Sequence, residues 1–188
     1  MKGGGSGFGL SRFVLAVNYT ISAKETKYKG IWFRSRLEAR WAAFFDLVGI
    51  VYHYEPFDLP GWSPDFLVRV DYTNEGHGVI NWLLEVKPVL APEKALFSKM
   101  TDALAAGGTG DTYAPMLVGL APWFSARFPM PYLAWGSADP NEAHSCALVH
   151  CLLPGDQFAL KVAPFERPYW ENLWGEAHNL SRFWKPKP

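Results

Sequence analysis

The ten residues VINWLLEVKP, Val79 to Pro88, limit the folds open to this chain more than any other segment. A run of β-branched, aromatic and aliphatic residues closed by a proline reads as a buried strand. Side chains alternate along a strand, so Trp82, Leu84 and Val86 point to one face and Leu83, Glu85 and Lys87 to the other. Two opposite charges therefore end an otherwise apolar face. An unpaired buried charge is costly, so these two require either each other or a bound cation.

The flanking segments supply the rest of a sheet and its helices. SRLE at Ser35 has the form of a capping box, in which the serine hydroxyl accepts from the Glu38 amide and the Glu38 carboxylate reaches back. Leu37, Trp41, Phe44, Phe45 and Val48 then recur at helical spacing as far as Gly49, which suits a C-terminal cap. IVYHYEPF (50–57) and DFLVRVDY (65–72) read as strands separated by the turn-forming DLPGWSP, and TNEGHG as the hairpin loop into the charged strand. APEKALFSKMTDALAAGG has helical composition with a glycine stop, and YAPMLVGLAP is a last apolar strand. Helix, three strands, helix, strand is an α/β (α+β) order, a central mixed sheet flanked by helices.

A chain of 188 residues suits one domain with an appendage. Residues 1–20 read as a glycine-rich tail with an undecided strand or short helix, 21–120 as the core, and 121–188 as an extension. Within the extension, CALVHCLL and QFALKVAP joined by PGD suggest a hairpin, and a short helix around 168–180 packs its tryptophans on the core. The same aromatic region is the candidate surface for a protein partner or a second copy of the chain. No apolar run approaches the roughly 20 residues that cross a bilayer, and FVLAV is short for a signal-peptide core, so the chain reads as cytoplasmic. Cys146 and Cys151, the only cysteines, suggest no disulfide framework; with His144 and His150 they read first as strand residues and only second as a metal cluster.

Net charge is zero, but its distribution is uneven: residues 1–49 hold eight Lys/Arg against three Asp/Glu. That asymmetry fits a basic face for phosphates and an acidic region for cations. Lys29, Arg34, Arg36 and Arg40, with Lys27, are the candidate phosphate contacts, with solvated surface charge as the plainer alternative for each, while Tyr28, Trp32 and Phe33 read as packing residues.

If the strand from Asp65 pairs antiparallel with VINWLLEVKP, Asp65 and Glu85 lie at the same end, each about ten residues from the loop midpoint. Two adjacent carboxylates repel unless a cation sits between them, and hard divalent ions favour such oxygen ligands. Lys87 projects to the same place, where an ammonium orients a water or neutralises charge on a phosphate. The plainer alternative is an internal ion pair of Lys87 with Glu85 or Asp65.

Pro64–Asp65, then Glu85–Val86–Lys87, on neighbouring strands after a helix bearing Glu38, resemble the PD-(D/E)XK nuclease superfamily with its restriction-endonuclease-like αβββαβ core. The resemblance covers about residues 28–120, and YKGIWFRSRLEARWA is similar to segments of compact nuclease-like proteins from phages and mobile elements. It implies that Asp65 and Glu85 bind Mg²⁺ (or Mn²⁺), that Val86 adds its backbone carbonyl, that Lys87 is the catalytic lysine, and that Glu38 is the acidic residue facing the metal. Glu38 is equally explained as a helix cap, and Glu55 as a strand-end charge or a supporting group.

The expected function is a Mg²⁺-dependent DNA endonuclease, with a homodimer wherever both strands are cut. Two rivals stand beside it: a nuclease-fold binding or inhibitory protein that occupies DNA or another protein, and a transposition or recombination subunit that cuts only within a complex.

Overall fold

The computed structural model describes residues 23–72, 78–91, 94–122, 133–136, 147–149 and 167–182. A hairpin of β1 (Thr26–Tyr28) and β2 (Ile31–Phe33) precedes helix α1 (Arg36–Val48). Strands β3 (Tyr52–Tyr54), β4 (Phe66–Tyr72) and β5 (Gly78–Val86) follow, then helix α2 (Lys94–Ala106), β6 (Tyr113–Val118), β7 (Ala134–Gly136), β8 (Ala147–Val149) and helix α3 (Arg167–Leu180). Among the described residues β3 to β8 form one mixed sheet in sequence order, antiparallel at every pair except the parallel β5–β6. The α+β order expected for the core is present, helices included.

Sequence dictates α1 closely. Ser35 is extended (φ −137°, ψ 157°) and its hydroxyl accepts from the Glu38 amide at 3.1 Å. At the other end Gly49 turns left-handed (φ 76°), and the amides of Gly49 and Ile50 reach back to Asp46 and Phe45 carbonyls. The capping box differs from expectation in one respect: the Glu38 carboxylate accepts from the amide of Arg34, one residue before the cap, at 3.2 Å. Tyr54 takes part in the reason, because its hydroxyl donates to the same Glu38 oxygen at 2.7 Å and holds the side chain there.

The alternation in β5 divides the core in two. Trp82, Leu84 and Val86 pack with Trp41, Phe44 and Phe45 of α1, while Leu83 packs on the opposite face with Phe97, Met100 and Leu104 of α2. The sheet is thus covered on both sides, and at 25 cal/mol/Å² a buried Leu or Phe contributes about 1.5–3 kcal/mol of transfer free energy. α1 can lie this close because its Trp41 Nε1 donates to the carbonyl of Gly119 at 2.8 Å. Gly119 has no room for a side chain: a Cβ there would stand 2.7 Å from both the Val89 carbonyl and Trp135.

Several elements differ from the sequence expectation. The strand expected over 50–57 is confined to Tyr52–Tyr54, since Glu55 takes a positive φ of 44° that ends the extended run. The β1–β2 hairpin was not anticipated, yet Lys29 (φ 45°) and Gly30 (φ 87°) form a two-residue loop of the twist-compatible kind. Trp32, expected to pack, is 58% exposed, because the β2 alternation buries Phe33 instead. The expected helix around 168–180 is α3, which packs on α1 through Trp170, Leu173, Trp174 and Ala177. Trp170 is buried in that contact and Trp174 partly so. β8 pairs with β7 in the central sheet. The TNEGHG loop centre, the QFALKVAP strand, the cysteine and histidine cluster and the N-terminal 22 residues lie outside the described residues. Among the described residues no helix is long and apolar enough to cross a membrane.

Candidate active site

The sheet brings the two carboxylates to one end. Phe66 pairs with Leu84, so Asp65 precedes its strand beside Glu85, and the Asp65 amide donates to the Leu84 carbonyl at 2.9 Å. The Asp65 carbonyl in turn accepts from the Glu55 amide at 2.9 Å, fixing Asp65 between β3 and β5. Asp65, Glu85 and Glu38 are all buried, the first at 3% exposure. They line one open cleft of about 680 Å³ together with Arg34, Lys87 and Lys99, the last from α2, which covers the Leu83 face of β5 that also carries Glu85.

Each carboxylate has defined partners. One Asp65 oxygen accepts from the Val86 amide at 2.7 Å and the other from the Arg34 guanidinium at 2.5 Å. Glu85 divides its oxygens likewise, accepting from Trp62 Nε1 at 2.7 Å and pairing with the Lys87 ammonium at 2.5 Å. Glu38 is held by Tyr54 and the Arg34 amide.

Trp62 owes its aim to the loop. Leu59 and Trp62 bond amide to carbonyl in both directions across Pro60 and Gly61, and Gly61 has the positive φ (79°) that such a turn requires. The indole is thereby folded under β5. The DLPGWSP sequence signalled a turn but not which side chain it would deliver.

Burial dominates the electrostatics of the site. Burial, then the neighbouring Glu85 and Glu38 carboxylates, push Asp65 up to about 7 despite the Val86 amide and Arg34. Burial opposes the charge on Arg34, but Asp65 and its other partners outweigh that and raise its pKa. Burial and the bond to Glu38 likewise raise the Tyr54 hydroxyl, so it stays a donor. Hard oxygen donors that converge in a water-accessible cleft, one of them with its charge disfavoured, suit a small divalent cation better than a soft one. Among the described residues no three Asp, Glu, His or Cys side chains form a ready-made ligand group, and Arg34 and Lys87 hold one oxygen each of Asp65 and Glu85.

The sequence-selected residues therefore part company. Asp65, Glu85, Lys87 and Glu38 converge, and of the cationic set Arg34 joins them. Lys29 pairs with Asp46 at 2.9 Å, and Arg36 is exposed at the start of α1. Arg40 is drawn inward: its guanidinium lies 3.8 Å over the Trp174 ring and donates twice to the Trp174 carbonyl, at 2.9 and 3.3 Å. It clamps α3 to α1 and is not free for a phosphate. Val86 contributes its amide to Asp65. Trp62, Tyr54 and Lys99 are the residues that sequence reasoning missed, because nothing local marks which aromatic or lysine faces a cleft.

The chain matches no protein-family model, no curated protein and no solved structure.

Proposed function

We propose that the protein is a divalent-metal-dependent endonuclease that hydrolyses phosphodiester bonds in DNA, of the PD-(D/E)XK kind found in phages and mobile elements. The observation that carries this reading is the convergence of Asp65, Glu85 and Lys87 at one end of β4 and β5, inside a cleft shared with Glu38. Order supports it too, since the site follows α1 and precedes α2 and the parallel strand β6.

Asp65 and Glu85 would hold Mg²⁺ or Mn²⁺, with Glu38 and the Val86 carbonyl as further oxygen donors. When bound there, the ion supplies Lewis-acid stabilisation of phosphoryl charge and a more acidic water. The chain's own groups do the rest. Lys87, on the same face as Glu85, orients the attacking water or neutralises charge that builds on the phosphate. Lys99, which lines the same cleft from α2, draws the DNA backbone in. Trp62 fixes the Glu85 carboxylate so that its other oxygen stays at the cleft. Cutting both strands of a duplex requires two such sites, hence two copies of the chain.

A second reading is a nuclease-fold protein that binds DNA without cutting it. The internal pairing of Asp65 with Arg34 and of Glu85 with Lys87 favours it, because a site satisfied by its own cations can persist without metal. Incubation of plasmid and single-stranded DNA with Mg²⁺ or Mn²⁺, against EDTA and the Asp65→Ala and Lys87→Ala variants, separates the two. Metal-dependent nicking lost in both variants is the expected result. Binding without cleavage in the parent protein moves the assignment to the second reading.

A further inference from the structure

The Arg34 side chain is placed as an ion would be. Its Nη2 lies 2.5 Å from an oxygen of the buried Asp65, and its Nε lies 2.8 Å from Glu55, a carboxylate 46% exposed in a smaller pocket that shares Arg34, Asp58 and Ser63 with the cleft. Its backbone is pinned separately, the amide donating to Glu38 and to the Tyr54 hydroxyl. The side chain is half exposed, so it can rotate away from Asp65 with the backbone still held. Glu55 already holds the Nε and can keep it when Asp65 is released. The cleft also needs a replacement cation if Arg34 leaves: among the described residues its lining sets Glu38, Asp58, Asp65 and Glu85 against Arg34, Lys87 and Lys99. Four carboxylates against three cations become four against two, and one divalent ion restores neutrality.

We propose that Arg34 is a displaceable internal counter-ion, which holds Asp65 in the metal-free protein and yields that oxygen to an incoming divalent cation while Glu55 retains the guanidinium at the rim. In that second position the guanidinium points to the cleft mouth, where a DNA phosphate enters, and a planar, permanently charged donor suits phosphate recognition. Arg34 therefore serves in turn as a stand-in for the metal and as a binding group for the substrate.

This inference rests on the metal reading of Asp65, and its test reads metal binding rather than cleavage. Isothermal titration of Mn²⁺ into the intact chain is compared for the parent, Arg34→Gln, Glu55→Gln and Asp65→Asn, with circular dichroism to confirm folding. Removal of the competing cation makes Arg34→Gln bind Mn²⁺ about fivefold more tightly, the upper end for a partly exposed ion pair. Glu55→Gln acts in the opposite direction, weakening Mn²⁺ binding, because the released guanidinium has lost its anchor. Equal or weaker binding by Arg34→Gln overturns the inference and leaves the metal site standing. If neither the parent nor Arg34→Gln binds Mn²⁺ differently from Asp65→Asn, the inference falls together with the metal reading.

Discussion

The amide of Val86 donates to a carboxylate oxygen of Asp65 across 2.7 Å, although 21 residues separate them. This bond joins the start of β4 to the end of β5 and sets Asp65 beside the Glu85–Lys87 face. A hydrogen bond to an ionised acceptor contributes about 1.5–3 kcal/mol, yet it does not suffice to keep Asp65 at an ordinary carboxylate pKa. Burial, and after it the neighbouring Glu85 and Glu38 carboxylates, outweigh the Val86 amide and Arg34.

Stability should therefore fall with rising pH over a defined window. Asp65 is raised to about 7 in the folded chain, so between its unfolded value near 3.9 and 7 the folded state binds more protons than the unfolded one. With that sign, stability is highest at the acid end of the window, declines toward pH 7 and is flat above it as far as Asp65 is concerned. Asp65→Asn removes the titration and is expected to be stabilising by about 1–3 kcal/mol at pH 8 and near neutral at pH 4. Urea unfolding of both proteins at the two pH values checks this, and added Mn²⁺ should stabilise only the parent.

Glu38 caps α1 and lines the cleft, and one substitution separates the roles. Glu38→Gln keeps an oxygen that can accept from Tyr54 and the Arg34 amide, so its stability should stay within about 0.5 kcal/mol of the parent. A fall of tenfold or more in metal-dependent cleavage, with the melting temperature held, identifies the charge of Glu38 as functional. Unchanged cleavage leaves the cap as its only role.

Trp62→Phe preserves the buried ring and deletes the donor to Glu85. An acceptor that loses its partner inside a protein costs about 1–3 kcal/mol, so a drop in that range is expected in chemical denaturation. Divalent-ion affinity should also weaken, since Glu85 is then held by Lys87 alone on its outer oxygen. Weakened stability with unaltered Mn²⁺ affinity would limit Trp62 to a structural part.

Arg40→Ala should behave as a packing variant. It removes the stacking on Trp174 and two bonds to the Trp174 carbonyl, at an expected cost of about 1–3 kcal/mol. DNA affinity, read by fluorescence anisotropy under conditions where the variant is folded, should match the parent. Loss of α3 protection in amide hydrogen exchange would identify the clamp as the affected contact.

Much of the scaffold was legible because its causes are local. Ser35, Glu38 and Gly49 are read within a turn of the helix they bound, and the two-residue period of Trp82 to Lys87 needs only the strand itself. The hairpin between β4 and β5 was readable one step further, since a short loop sets register and register sets which residue stands beside Asp65. The Lys29–Gly30 turn escaped notice because a lysine with positive φ has a far weaker signal than asparagine.

The partners of the site residues had no such signal. Arg34 reaches Asp65 across 31 positions, Trp62 reaches Glu85 across 23, and Arg40 reaches Trp174 across 134. Sequence period assigned Glu85 and Lys87 to a face and Asp65 to the same strand end, for the geometry of a strand and of a hairpin is carried by the backbone. Which cation neutralises which carboxylate depended on how α1 and the 59–62 turn dock on the sheet, because side-chain direction between distant segments is set by packing that no local pattern encodes.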